Sequence, residues 1–319
     1  MPVLGLATYG GVDLQFTAAD IAAIRFTILQ AILSAALSVA LAISASRALA
    51  RQNFKGREVL ISILSAPFIL PVIVAISGVL FIFGREGVFN QFLGSLGQET
   101  VSIYGLSGIL LVHVFFNLPL AIRILLFGWG AIPIEHHRVA RGLKLNAWTR
   151  FKIIELPMLV SRVPAATAII FVICLSSFAV ALLLGGGPRA TTVELAIYQA
   201  FRFDFDIAKA GQLALVQTCF AAVAIIISFA VMKRLDVGIG YLPTEPMGHS
   251  RIVRMVDLGM ILMVSIFMWA PILAVIYRGL PHLTELPTSV WSAAATSVFI
   301  ALPSAVLCIL ISVFMAHRL

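Results

Sequence analysis

The chain has 319 residues, 61% of them hydrophobic and only 11% charged, with a formal net charge of +8. Soluble domains carry about 45–50% apolar and about 25% charged residues, so an excess of this size cannot be hidden inside a water-soluble globule and must face lipid. The positive charge is not a nucleic-acid footprint, because the basic residues fall in alternate connections between apolar stretches.

In chain order, Met1–Ala23 contains no Lys or Arg and no compact apolar core. It reads as an external tail rather than a signal peptide. A membrane-crossing helix needs about 20 mainly apolar residues. Seven stretches qualify: Ile24–Ser46, Val59–Phe83, Leu106–Gly128, Met158–Leu184, Ile207–Met232, Val256–Tyr277 and Val290–Ala316. The expected fold is therefore an all-α polytopic transmembrane bundle. Fourteen Lys and Arg follow the odd-numbered spans, whereas five lie on the opposite side. Positive connections stay in the cytoplasm, which places the N-terminus outside and the C-terminus inside. An upstream helix would explain an outside N-terminus that lacks a signal.

All fourteen acidic residues lie in connections or at span ends, with Asp20, Glu58 and Asp257 at span starts. Ion-coupled transporters usually carry carboxylates within the membrane, so an ion-coupled carrier is the less favoured alternative. The polar groups nearest to span centres are His113, Asn117 and Gln217. Two roles are open to them: hydrogen bonds between helices and contacts along a solute pathway. Pro67, Pro71, Pro119, Pro164, Pro271 and Pro303 lie in or beside spans and are expected to kink them. Cys174, Cys219 and Cys308 have no metal-ligand spacing and read as small hydrophobes. Gly185-Gly186-Gly187-Pro188 lacks the Lys-Ser/Thr of a phosphate loop. It is read as the break that ends the fourth span before a short outer helix at Thr191–Phe203. No catalytic site, cofactor or nucleotide site is expected, so uphill transport would draw its energy from a partner.

Residues 131–157 between the third and fourth spans do not read as an idle connector. Val139, Leu143, Leu145, Trp148, Phe151, Ile153 and Ile154 are interleaved with Arg138, Arg141, Lys144, Arg150 and Lys152. This pattern suggests a helix–turn–helix lying on the membrane face. The segment resembles the cytoplasmic loop of permease subunits of bacterial ATP-binding-cassette importers, whose pattern is E-A-A-x3-G-x9-I-x-L-P. Ile154, Leu156 and Pro157 fill the last part. Counting back puts Arg138, Val139 and Ala140 in the E-A-A slots and Lys144 in the glycine slot; Gly142 comes two residues early. The resemblance implies that this loop, including Arg141, Gly142 and Trp148, docks onto a separate homodimeric ATPase. It also implies a type I importer permease fold in the bacterial inner membrane, and a periplasmic solute-binding protein as a second partner. Gly108–Leu126 and Leu182–Ala200 are similar to stretches of thiamine-carrying members, so the resemblance implies thiamine as substrate, with ferric iron or another small solute as the alternative.

Family members of this kind resemble two fused six-helix units. Thr296–Leu319 can be laid over Phe26–Leu49 with identities at Ala31/Ala301, Ser34/Ser304, Ala35/Ala305, Leu37/Leu307 and Leu49/Leu319. The expected organisation is a first permease unit at 24–233, a cytoplasmic linker at 234–255 and the start of a second unit at 256–319. A second docking loop would be expected further on, so the chain reads as a shortened form of a longer one.

Overall fold

The structure, a computed structural model, describes residues 16–64, 67, 70–185, 187, 190–232 and 251–316. Residues 1–15 of the expected tail, 234–250 of the expected linker, Gly186, Pro188 and Leu319 lie outside the described residues. The described residues form helices α1 Ala18–Arg51, α2 Arg57–Ile63, α3 Val72–Phe83, α4 Val88–Ser95, α5 Leu106–Gly130, α6 Ile134–Gly142 and α7 Ala147–Arg150. They continue with a π-helical turn at Phe151–Glu155, then α8 Leu156–Leu175, α9 Phe178–Leu184, α10 Val193–Arg202, α11 Ile207–Met232, α12 Arg251–Gly279 and α13 Thr288–Ala316. Seven helical segments among them are long and apolar enough to cross a membrane.

Two compact units divide the chain, Met1–Leu273 and Ala274–Leu319, with the boundary inside α12. In the second unit a 3-10 turn at Leu280–Glu285 leads into α13, and His282 Nδ1 lies 2.8 Å from Glu285 Oε2. The first unit is built on α1, α5 and α8. One face of α1 is a ladder of small residues (Ala31, Ser34, Ala35, Ser38, Ala42, Ala45 and Ser46), all buried. Small side chains let helix axes approach closely in a membrane, where packing rather than water exclusion holds helices together. Against this ladder α5 brings Phe115, Leu118, Ala121, Ile122 and Leu125, and α8 brings Ala166, Ile170 and Cys174. Gly128 of α5 sits where α8 crosses; a Cβ there would lie 2.6 Å from Met158 Sδ. The first part of α12 buries Asp257, Ile261, Val264, Met268 and Pro271, one stripe of the helix, and Phe267 meets Phe115 edge-on at 6.2 Å.

Two expected spans differ from the structure. Val59–Phe83 is not one helix: α2 ends at Ile63, and α3 restarts with Pro71 at its N-cap in an extended conformation, φ −56 and ψ 134. Proline lacks an N–H and drives the preceding residue out of the helical region, so Pro67 and Pro71 divide the apolar run. The membrane-length segment is Val72–Ser95 instead. Met158–Leu184 is also broken, at Ser176 (φ −101, ψ 55) and Ser177 (φ −116, ψ 69). Pro119, Pro164, Pro271 and Pro303 lie inside helices. The short outer helix appears as α10. It is pinned by Thr27 Oγ1, which accepts from Val193 N at 2.9 Å and donates to Ala23 O at 2.8 Å.

Candidate functional site

The basic loop is a corner between two short helices. In α6, Ala140 is buried while Val139 and Leu143 are 60% and 66% exposed. The helix ends with Lys144 N–H donating to Arg141 O and Leu145 N–H donating to Ala140 O, both at 3.0 Å. These are the paired bonds of a Schellman motif, which requires a left-handed residue at the position after the cap, usually glycine. That residue is Lys144, at φ +49. The register that puts Lys144 in the family's glycine slot therefore coincides with the one left-handed position of this turn, while Gly142 lies inside the helix. A side chain there costs about 1 kcal/mol. Lys144→Gly is expected to stabilise the turn by about 0.5–1 kcal/mol, the gain being reduced by glycine's greater unfolded freedom. Hydrogen exchange at the Leu145 amide reads this directly, and unchanged protection would count against enforced left-handed strain.

The second arm begins at Asn146, whose Oδ1 accepts from Thr149 N at 2.7 Å and caps α7. Trp148, 71% exposed, stacks on Phe151 with ring centroids 5.8 Å apart. The Arg47 guanidinium lies over the Phe151 ring at 5.0 Å. Ile154 is half-buried, Leu156 and Pro157 are exposed, and Pro157 lies at the start of α8, directly after the π-helical turn. Arg138, Arg141, Gly142 and Lys144 are exposed. Burial, reinforced by nearby Arg150, holds the His137 imidazole below its ordinary 6.5.

Within the second arm, the π-helical turn carries Glu155 inward. A π turn adds a residue to the helical circuit and redirects the side chains that follow. Glu155 is only 3% exposed. Its Oε2 accepts from Arg47 Nε at 2.6 Å, and its Oε1 lies 3.6 Å from Arg51 Nη2. Arg51 Nη1 lies 3.8 Å from Asp257 Oδ1, and Gln52 Nε2 donates to Asp257 Oδ2 at 2.9 Å. Arg47 and Arg51 of α1 thus hold the base of the loop, and Arg51 links it on to Asp257 at the start of α12. Sequence reasoning left Glu155 out because it fills the variable slot of I-x-L-P. Its signal was that it is the one acid in the run from Phe151 to Pro157.

His113, Asn117 and Gln217 all lie around the break between α8 and α9. His113 Nδ1 is 2.8 Å from Ser34 Oγ, and its Nε2 is 2.6 Å from Ser177 Oγ. Asn117 Nδ2 donates to Cys174 Sγ at 3.2 Å. Gln217 Nε2 donates to Leu175 O at 2.9 Å, and Gln30 Nε2, which sequence reasoning passed over, donates to Cys174 O at 2.8 Å. In an unbroken helix these two carbonyls would accept from the N–H groups four residues on. The break removes those donors, and glutamines from α1 and α11 replace them. At the opposite end of α1 from Arg47, Asp20 closes a capping box with Thr17 and pairs with Lys209 at 3.2 Å.

Among known proteins, the family model for "binding-protein-dependent transport system inner membrane component" matches residues 38–241. The thiamine transport system permease protein ThiP of Escherichia coli (strain K12) is 42% identical over 301 residues, covering 92% of this chain and 55% of the relative. ThiP of Brucella abortus (strain 2308) is 36% identical over 295 residues, with 90% and 54% covered. The chain thus spans about half the length of these curated relatives. Among solved structures, a bacterial ABC transporter involved in the import of the acidic polysaccharide alginate aligns with TM-score 0.62 at 18% identity. The alignment covers 74% of this chain and 89% of that one. A match of this kind supports the fold: an all-α importer-permease bundle. With more than half of its residues matched by the family model and seven membrane-length helical segments among its described residues, the chain belongs to the family of binding-protein-dependent transport inner-membrane components.

Proposed function

We propose that this chain is the permease subunit of an ATP-binding-cassette importer, and that residues 131–157 form the dock for a separate homodimeric ATPase on the cytoplasmic side. The observation that carries this reading is the loop's build. Val139, Leu143, Trp148 and Ile153 are each more than half exposed, on a corner fixed beneath by Glu155 and two arginines. Large apolar side chains held rigidly in the open, rimmed by Arg138, Arg141 and Lys144, fit a protein partner better than a lipid or solvent face. ATP hydrolysis then belongs to the partner, and this chain contributes the pathway. The solute is thiamine, delivered by a periplasmic binding protein; the thiamine-permease relatives support the first part and the family description the second. Residues 24–233 act as one permease unit, with 256–319 homologous to the start of a second.

The test is uptake of labelled thiamine into proteoliposomes holding the complete complex with its binding protein. The expected uptake requires ATP and is indifferent to a protonophore. Uptake that persists without ATP and collapses with the proton gradient would instead assign the chain to the ion-coupled carriers.

A further inference from the structure

The bonds that heal the break between α8 and α9 leave a residue of unmet chemistry. A backbone carbonyl only accepts, so Gln30 and Gln217 must turn their NH2 groups toward Cys174 O and Leu175 O. Their Oε1 atoms are thereby committed to face elsewhere. Asn117 likewise gives its NH2 to Cys174 Sγ. Gln30 Oε1, Asn117 Oδ1 and Gln217 Oε1 are all buried without a hydrogen-bond partner. Gln30 and Asn117 are fully enclosed residues, at 0% and 2% exposure. A buried acceptor left unsatisfied is costly, and native proteins rarely keep three around two consecutive residues unless something else supplies the donors.

We propose that this break is a binding point for a small organic cation bearing N–H donors. Gln30, Asn117 and Gln217 hold it through their amide oxygens as it passes through the membrane. The proposal rests on the permease reading and adds to it the residues that hold the cargo within the membrane. All three unmet atoms are acceptors, so the point favours donors and positive charge and disfavours anions. None is a carboxylate, so the attraction stays modest, as a pathway that must release its cargo requires. A helix interrupted within the membrane is also where backbone and side-chain dipoles can be turned toward a ligand. Asn117 is the discriminating residue. Its own donated bond goes to a thiol, a weak acceptor, so its removal orphans no backbone carbonyl.

The experiment is equilibrium binding to the full chain in lipid nanodiscs, with thiamine as the cationic probe and thiamine diphosphate as the anionic one. Wild type is expected to bind thiamine saturably and the diphosphate at least tenfold more weakly. Asn117→Leu should weaken thiamine binding at least tenfold, whereas Asn117→Asp, which keeps the acceptor, should bind at least as tightly as wild type. Asn117→Ala serves in place of the leucine variant if that one does not fold. No saturable binding by wild type, which would leave ordinary water as the occupant, overturns the proposal. So does equal binding by wild type and the variants that lack the acceptor. Saturable binding alongside failed ATP-driven uptake would sink the importer reading and leave this site standing.

Discussion

Replacing Glu155 by alanine is expected to destabilise the chain by about 3 kcal/mol, because removing one member of a buried ion pair leaves the other without compensation. Arg47 and Arg51 would lose the carboxylate between them, and Asp257, 3.8 Å from Arg51, would remain for only one of the two. The lower end of the usual range applies because the Arg47 side chain is 29% exposed and water relieves part of the loss. Glu155→Gln should cost less, since it still offers an acceptor to Arg47 Nε. Arg47→Met should cost less again, since Glu155 would keep Arg51. Denaturant unfolding in mild detergent gives the comparison, and a double-mutant cycle of Glu155→Ala with Arg47→Met isolates the pair. If all three single variants unfold within about 0.5 kcal/mol of wild type, the range for unremarkable surface substitutions, the network is not what fixes the loop to α1.

The second large effect is expected at the break in the fourth span. Gln30→Leu or Gln217→Leu each leaves one buried carbonyl unsatisfied, at about 1–3 kcal/mol apiece. The double variant should lose about 3–5 kcal/mol, and not as a simple sum, since both residues serve adjacent carbonyls. Hydrogen exchange should localise the loss to Phe178–Leu184, the short segment beyond the break. A double variant as stable as wild type would show that the two carbonyls find other donors.

Spans were legible wherever apolar length alone decides, as at Leu106–Gly130 and Ile207–Met232. They were less so where local chemistry interrupts an apolar run. Pro67 and Pro71 were read as kinks, yet two prolines so close end the helix outright, because each removes a donor and restricts its neighbour. The break at Ser176 was invisible because the run around it is apolar on both sides. What stabilises it comes from Gln30 and Gln217, distant in sequence, and Gln30 lies too near the start of its span to have stood out. In the loop, the I-x-L-P pattern located the C-terminal arm, and counting back from it found Lys144. Glu155 stayed hidden because a motif records its variable slot as carrying no information. Here the residue in that slot meets both arginines, and only the three-dimensional path of a π-helical turn shows it.

The claim that residues 131–157 dock an ATPase is tested most directly by titrating the ATPase subunit onto the chain in lipid nanodiscs. Val139 and Trp148 are 60% and 71% exposed, so Val139→Asp combined with Trp148→Ala should leave the chain folded, at a cost of about 1 kcal/mol for the lost Trp148–Phe151 stack. If these side chains are anchors of the interface, their joint loss costs at least about 2 kcal/mol, roughly a thirtyfold weaker association. Saturable binding by wild type and this weakening in the double variant are the predicted results. Equal affinity for both chains, with the variant fully folded, would contradict the account.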